Sequence, residues 1–172
     1  MSGDEEIIIE DWGLIPYSEA LAKQEDYVQK IINGERKETI VFCSHPPVVT
    51  LGRGTKSGDV FGWKGQTVEV SRGGRATYHG PSQLIMYPLI SIDGEQNRRV
   101  EKKIKPKDLH QYMRVLEESV VLTLKELGVE SQGRSIQTQV DEDLAEEATG
   151  VWIGPQKIAS IGIGVRKWIT FH

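Results

Sequence analysis

Three observations predict an α+β fold, a mixed β-sheet with helices packed on it. Two long stretches, at about residues 17–33 and 107–127, place apolar residues at helical spacing. Short runs rich in Val, Ile, Phe and Thr lie before, between and after them. The order of strands and helices is irregular, unlike the strict βαβ alternation of a doubly wound sheet.

Taken in order, residues 7–9 read as a short strand. From 17 to 33, Tyr17, Ala20, Leu21, Tyr27, Val28, Ile31 and Ile32 recur mostly three or four apart, and Gly34 is a plausible stop. Residues 39–43 and 48–51 read as strands on either side of the stiff corner His45-Pro46-Pro47. Residues 67–70 and 83–90 are further candidate strands. The clearest helix spans about 107–127, with Leu109, Tyr112, Met113, Leu116, Val120, Leu124 and Leu127 as its apolar stripe. Pro106 suits its first turn and Gly128 its C-terminal cap. Residues 131–150 are polar and acid-rich over 141–147, and 151–153 and 157–165 read as strands.

The chain has 172 residues with 21 Lys+Arg against 25 Asp+Glu, a formal net charge of −4. A chain of this length buries about 70% of its unfolded surface, enough for one sizeable core, so the expectation is a single domain over 1–172. The acidic balance argues against general nucleic-acid affinity. No apolar run approaches the ~18 residues of a membrane span. The acidic N-terminus is unlike a secretory signal. A single cysteine, Cys43, excludes an internal disulfide and a cysteine-rich metal site and suits a reducing, cytoplasmic compartment.

The segment densest in chemistry is Ser71-Arg72-Gly73-Gly74-Arg75-Ala76-Thr77-Tyr78-His79-Gly80-Pro81-Ser82-Gln83. Paired glycines let a backbone approach a ligand closely, the arginines attract an acidic group and His79 offers a titratable nitrogen. The plainer alternative is a tight turn with surface arginines. Leu51-Gly52-Arg53-Gly54-Thr55 is a second basic turn, but it lacks the Gly-Lys-Ser/Thr ending of a phosphate loop. In 154–164, Lys157 opens a run of small residues that includes Ala159, Ser160 and Gly162. An ammonium in such surroundings can stand against a thioester carbonyl or beside a nucleophile, although a lysine opening a strand is usually solvated. Arg98, Arg99, Lys102, Lys103, Lys105 and Lys107 form a basic cluster, read either as a solvated loop or as a docking patch for an acidic partner.

The runs RGGRATYHGPSQLIMYPLI (72–90), GVWIGPQKIASIGIGV (150–165) and RKWITFH (166–172) resemble together the lipoate-biosynthesis octanoyltransferases. The resemblance extends over most of the chain, including the His-Pro-Pro corner, the Leu-Gly-Arg after it and the 107–127 helix. It implies a fold related to biotin and lipoate protein ligases, no metal and no ATP. It also implies octanoyl transfer from octanoyl-acyl carrier protein to a lysine of lipoyl domains, those of 2-oxoacid dehydrogenases and of the glycine cleavage H protein. By position, Arg72, Gly73, Gly74, Arg75, Ala76, Thr77, Tyr78 and His79 would line the acyl pocket. Ser160, Ile161 and Gly162 would form its other wall. Lys157 would be the catalytic lysine that favours a cysteine thiolate.

The sequence departs from the family pattern twice. Ser82 stands where the family usually has glycine, and the family's Pro-Cys-Gly nucleophile belongs to a segment beyond His172. The expectation is therefore a domain lacking its C-terminal segment, with Cys43, in a predicted strand, a poor replacement. Two alternatives stand beside the transferase: an ATP-dependent lipoate or biotin protein ligase, and a non-catalytic acyl- or carrier-binding protein.

Overall fold

A computed structural model of the chain describes residues 7–94, 105–133 and 149–172. The described chain forms two compact units, one comprising residues up to Ser91 together with Ile163–His172, the other Ile92–Gly162.

In the first unit, β1 (Ile8–Leu14) runs parallel to β2 (Thr39–Ser44), and β2 pairs antiparallel with β6 (Ile85–Leu89). The sheet is mixed, as predicted. The helix between β1 and β2, α1 (Tyr17–Ile32), buries Tyr17, Ala20, Gln24, Val28 and Ile31. These positions recur at three- and four-residue spacing, so they share one face. That face joins Val41, Leu89, Ile169 and Phe171 in the core. Tyr27 and Arg36 both donate to Glu10, a cluster at the rim of this face. A partly exposed ion pair of this kind contributes at most about 1 kcal/mol. Burying one Val or Leu contributes about 1.5–3 kcal/mol, so the apolar face sets the seat of α1. Gly34, at φ +73°, follows the helix in the left-handed conformation its sequence position calls for.

A second sheet has β3 (Val48–Leu51) at its centre, parallel to β4 (Gln66–Glu69) and antiparallel to β5 (Ala76–His79). The densest motif is therefore half strand: residues 76–79 pair with β3 rather than forming only a turn. In the other unit, β7 (Gln132–Gly133), β8 (Gly150–Ile153) and β9 (Gln156–Ser160) form an antiparallel meander beside α2 (Leu109–Glu126). Asp108 caps α2 by accepting from the Gln111 amide at 2.9 Å. Of the predicted stripe only Tyr112 is fully buried. The other fully buried residue of the helix is an acid, Glu117. Back in the first unit, the hairpin β10 (Gly164–Arg166) and β11 (Ile169–Phe171) returns to the end of β6 through the Thr170 amide and Ile90 carbonyl, 2.9 Å apart. The predicted strand 157–165 is thus two strands, separated at 161–163. The acidic stretch 141–147 and the cations at 98, 99, 102 and 103 lie outside the described residues. Among the described residues no helix is long and apolar enough to cross a membrane.

Candidate active site

The first unit gathers polar side chains in its interior. The two prolines of the His45-Pro46-Pro47 corner turn the chain between β2 and β3, and His45 is fully buried. Its Nδ1 lies 2.8 Å from the Ile15 carbonyl, which can only accept, so Nδ1 carries the proton. Burial holds His45 below the usual histidine range and hence neutral. Nε2 is then an acceptor for the Tyr87 hydroxyl at 2.8 Å. Burial raises that phenol's pKa, which keeps it protonated as a donor.

Arg72 is 7% exposed, unusual for arginine. One nitrogen, Nη1, donates to the Gly73 and Arg75 carbonyls at 2.9 Å each. The other, Nη2, donates to Thr50, to Oγ1 at 2.7 Å and to the carbonyl at 3.3 Å. Among the described residues no carboxylate pairs with it, so its buried charge is dispersed over carbonyl and hydroxyl dipoles. His79 reaches the same Thr50 Oγ1 from β5, at 3.2 Å, and stacks on Tyr17 with ring centroids 5.8 Å apart. Burial foremost, and the positive charge of Arg72 after it, push His79 down to about 4. His172 stands with its ring nitrogens 3.4 Å from the Tyr17 hydroxyl and 3.2 Å from Ser71 Oγ, and burial holds it too at about 4.

The two glycine turns of this unit interlock. Arg53 N and Gly54 N donate to the Arg72 and Gly74 carbonyls at 3.1 and 3.0 Å. A Cβ on Gly52 would stand 2.4 Å from Gly74 O and 2.7 Å from Arg72 Nη1, so only glycine fits. Gly74 itself holds φ +77°.

Arg72 and His79 thus meet at Thr50. Gly73 and Gly74 form the half-buried turn beside them, and Ala76 and Thr77 pair with Leu51 and Thr50 across β3. Two of the candidate pocket residues have other partners. Arg75 makes a two-pronged pair with Asp59, which holds that carboxyl at about 2. Tyr78 is exposed, edge-on to Trp63. In the other unit, Lys157 Nζ donates to the Thr149 carbonyl at 3.0 Å and lies 5.1 Å from the centre of the Trp152 ring. Trp152 is its cross-strand partner on β8, and Lys157 lines an open concavity with Ile153, Gln156 and Ile158. Ser160 ends β9 opposite Gly150, followed by the half-buried Ile161 and Gly162.

Sequence reasoning missed Tyr17, Gln24, His45, Thr50, Tyr87 and His172 as members of the polar interior. His45 carried a signal, a histidine fixed by two following prolines. Tyr87 and Thr50 sit in apolar strands and carried none. Cys43 is buried, its thiol 3.9 Å from His45 Nε2, and burial together with the Asp11 charge pushes it up to about 11. It is a protonated thiol, not an activated one. No group of three His, Cys, Asp or Glu among the described residues is arranged to hold a metal ion.

Comparison with known proteins agrees with this architecture. A family model of the lipoyl protein ligase A/B catalytic domain matches residues 16–172. An octanoyltransferase of Bdellovibrio bacteriovorus is 48% identical over 168 residues, 97% of this chain and 74% of that protein. One of Syntrophotalea carbinolica is 38% identical over 164 residues, 95% of this chain and 68% of that protein. Among solved structures, a bipartite lipoate protein ligase of Thermoplasma acidophilum superposes with a TM-score of 0.62 at 19% identity, covering 96% of this chain and 59% of that one. Lipoate-protein ligase A bound with ATP gives 0.61 at 17%, covering 98% and 64%. The structural likenesses establish the lipoate-ligase fold, and the chain spans about three-fifths to three-quarters of the length of these proteins. With nine-tenths of its residues under the family model and nearly half identical to a curated relative, the chain belongs to the lipoyl protein ligase A/B catalytic-domain family, among its octanoyltransferases.

Proposed function

We propose that this chain serves octanoyl transfer in lipoate synthesis, from octanoyl-acyl carrier protein to a lysine amine of a lipoyl domain, in the cytoplasm. The single observation that carries the reading is the 48% identity to an octanoyltransferase across 97% of the chain. In this reading the Arg72–His79 turn and strand serve the acyl thioester, and the Lys157 ammonium stabilises charge as a thioester carbonyl is attacked. Lipoyl domains of 2-oxoacid dehydrogenases and the glycine cleavage H protein are the acceptors of this reading. The 1–172 stretch acts in it as one acyltransferase domain, with no ATP and no metal.

A cysteine thiolate attacks the octanoyl thioester, breaking the carrier's C–S bond and releasing the carrier thiol. The lysine amine then breaks the new cysteine C–S bond as the amide forms, returning the cysteine thiol. Cys43 does not supply the sulfur, because a thiol held at about 11 presents almost no thiolate at neutral pH. The proposed nucleophile is a cysteine on a family-like segment following residue 172.

The test compares the 172-residue chain with a form extended by such a segment, both given octanoyl-acyl carrier protein and a lipoyl domain without ATP. The extended form should octanoylate the lipoyl domain, and mass spectrometry should find no octanoyl group on Cys43 in either. Acylation that requires ATP and free octanoate would replace this reading with a ligase. An adduct on Cys43, lost with activity in Cys43→Ser, would show the nucleophile to be misplaced.

A further inference from the structure

Lys157 and the buried acid Glu117 bind opposite ends of one peptide group. Glu117, on α2, is 1% exposed, and its Oε1 accepts the Gly150 amide at 2.7 Å. The carbonyl of that same peptide unit belongs to Thr149, and it accepts the Lys157 ammonium at 3.0 Å. A trans peptide points its N–H and C=O in opposite directions, so the carboxylate faces the positive end of the peptide dipole and the ammonium the negative end.

Two glycines make the arrangement possible. A Cβ on Gly133 would come within 3.0 Å of Glu117 Oε2, so bare backbone leaves room for the buried carboxylate. Gly150 sits at φ +137°, and a Cβ there would stand 2.3 Å from the Ala159 carbonyl and 3.4 Å from Lys157 Cε. Only glycine lets the β9 backbone at Ala159 lie this close.

We infer that Glu117 is a positioning residue for Lys157, acting through the Thr149–Gly150 peptide. An ionised acceptor on the N–H strengthens the C=O as an acceptor, because hydrogen bonds in a chain polarise one another. The ammonium is thereby held over β8 at a fixed place rather than left to wander on a flexible four-carbon stem. This inference rests on the reading of Lys157 as the site lysine. A carboxylate that merely satisfied one strand-end amide would stabilise the meander without any link to Lys157.

Two measurements separate these. In the 172-residue chain, NMR of the Gly150 amide should report both partners: Glu117→Gln should shift its proton, and Lys157→Ala should shift its nitrogen through the carbonyl of the same peptide. In the extended form, Glu117→Gln, which keeps shape and an acceptor oxygen, should lower kcat about tenfold with KM unchanged, the loss expected on replacing a charge-assisted hydrogen bond by a neutral one. In a Lys157→Ala background the same change should cost nothing further in kcat. A Gly150 nitrogen that ignores Lys157→Ala, or losses that multiply in the double variant, would overturn the link. If Lys157→Ala alone left kcat unchanged while Gly150 still reported both partners, the assignment of the site lysine would fall and the peptide link would stand without catalytic consequence.

Discussion

One hydroxyl, on Thr50, joins the most distinctive polar groups of the first unit: Arg72 at 2.7 Å and His79 at 3.2 Å. Burial foremost, and the nearby charge of Arg72 after it, hold His79 and His172 at about 4, so both are neutral in the folded state. An unfolded histidine titrates near 6.5. Between about pH 6.5 and 4 the unfolded chain therefore binds more protons than the folded one, and stability falls as pH falls through that window. Urea denaturation at pH 7 and pH 5 should show this loss, and His79→Gln should diminish it. A His79→Gln chain with the full wild-type loss between those pH values would mean that His79 is not held neutral by its surroundings.

At the scale of elements, the interlocked turns at 52–54 and 72–75 depend on backbone contact, which side-chain chemistry alone does not explain. Gly52→Ala should push on Gly74 O, a backbone atom with little freedom to yield. Overpacking of this kind costs about 1–3 kcal/mol, to be read as a lower urea midpoint at unchanged slope. Binding of an octanoyl thioester should weaken with it, since Arg72 Nη1 is the next atom met. Unchanged stability would show that the two turns do not pack as described. The pairing of Arg75 with Asp59 belongs to this scale too, because it ties the 56–65 loop to the start of β5.

For the whole molecule, a net charge of −4 makes six cations between Arg98 and Lys107 conspicuous. Four of them, Arg98, Arg99, Lys102 and Lys103, fall outside the described residues, so their role rests on sequence. If the stretch docks acyl carrier protein, replacing those four by Ser should slow association and flatten its dependence on salt. Carrier affinity and salt dependence both unchanged would leave the stretch a solvated loop.

Much of this was legible in the sequence. Helical periodicity and Gly34 and Gly128 located α1 and α2 to within two residues, because spacing and caps are local properties. The glycine pair at 73–74 announced a turn, and the joint motifs announced a family. The tertiary structure decided what local pattern does not encode. Residues 76–79 became a strand because β3 offered a pairing edge, and Glu117 interrupts the apolar stripe of α2 because the Gly150 amide needed an acceptor. Thr50 meets Arg72, 22 positions away, and Tyr87 meets His45, 42 positions away, only once the sheets have paired. A buried polar group is satisfied by whatever the fold brings to it, so its partners are a property of the packed chain and are not written in its neighbours.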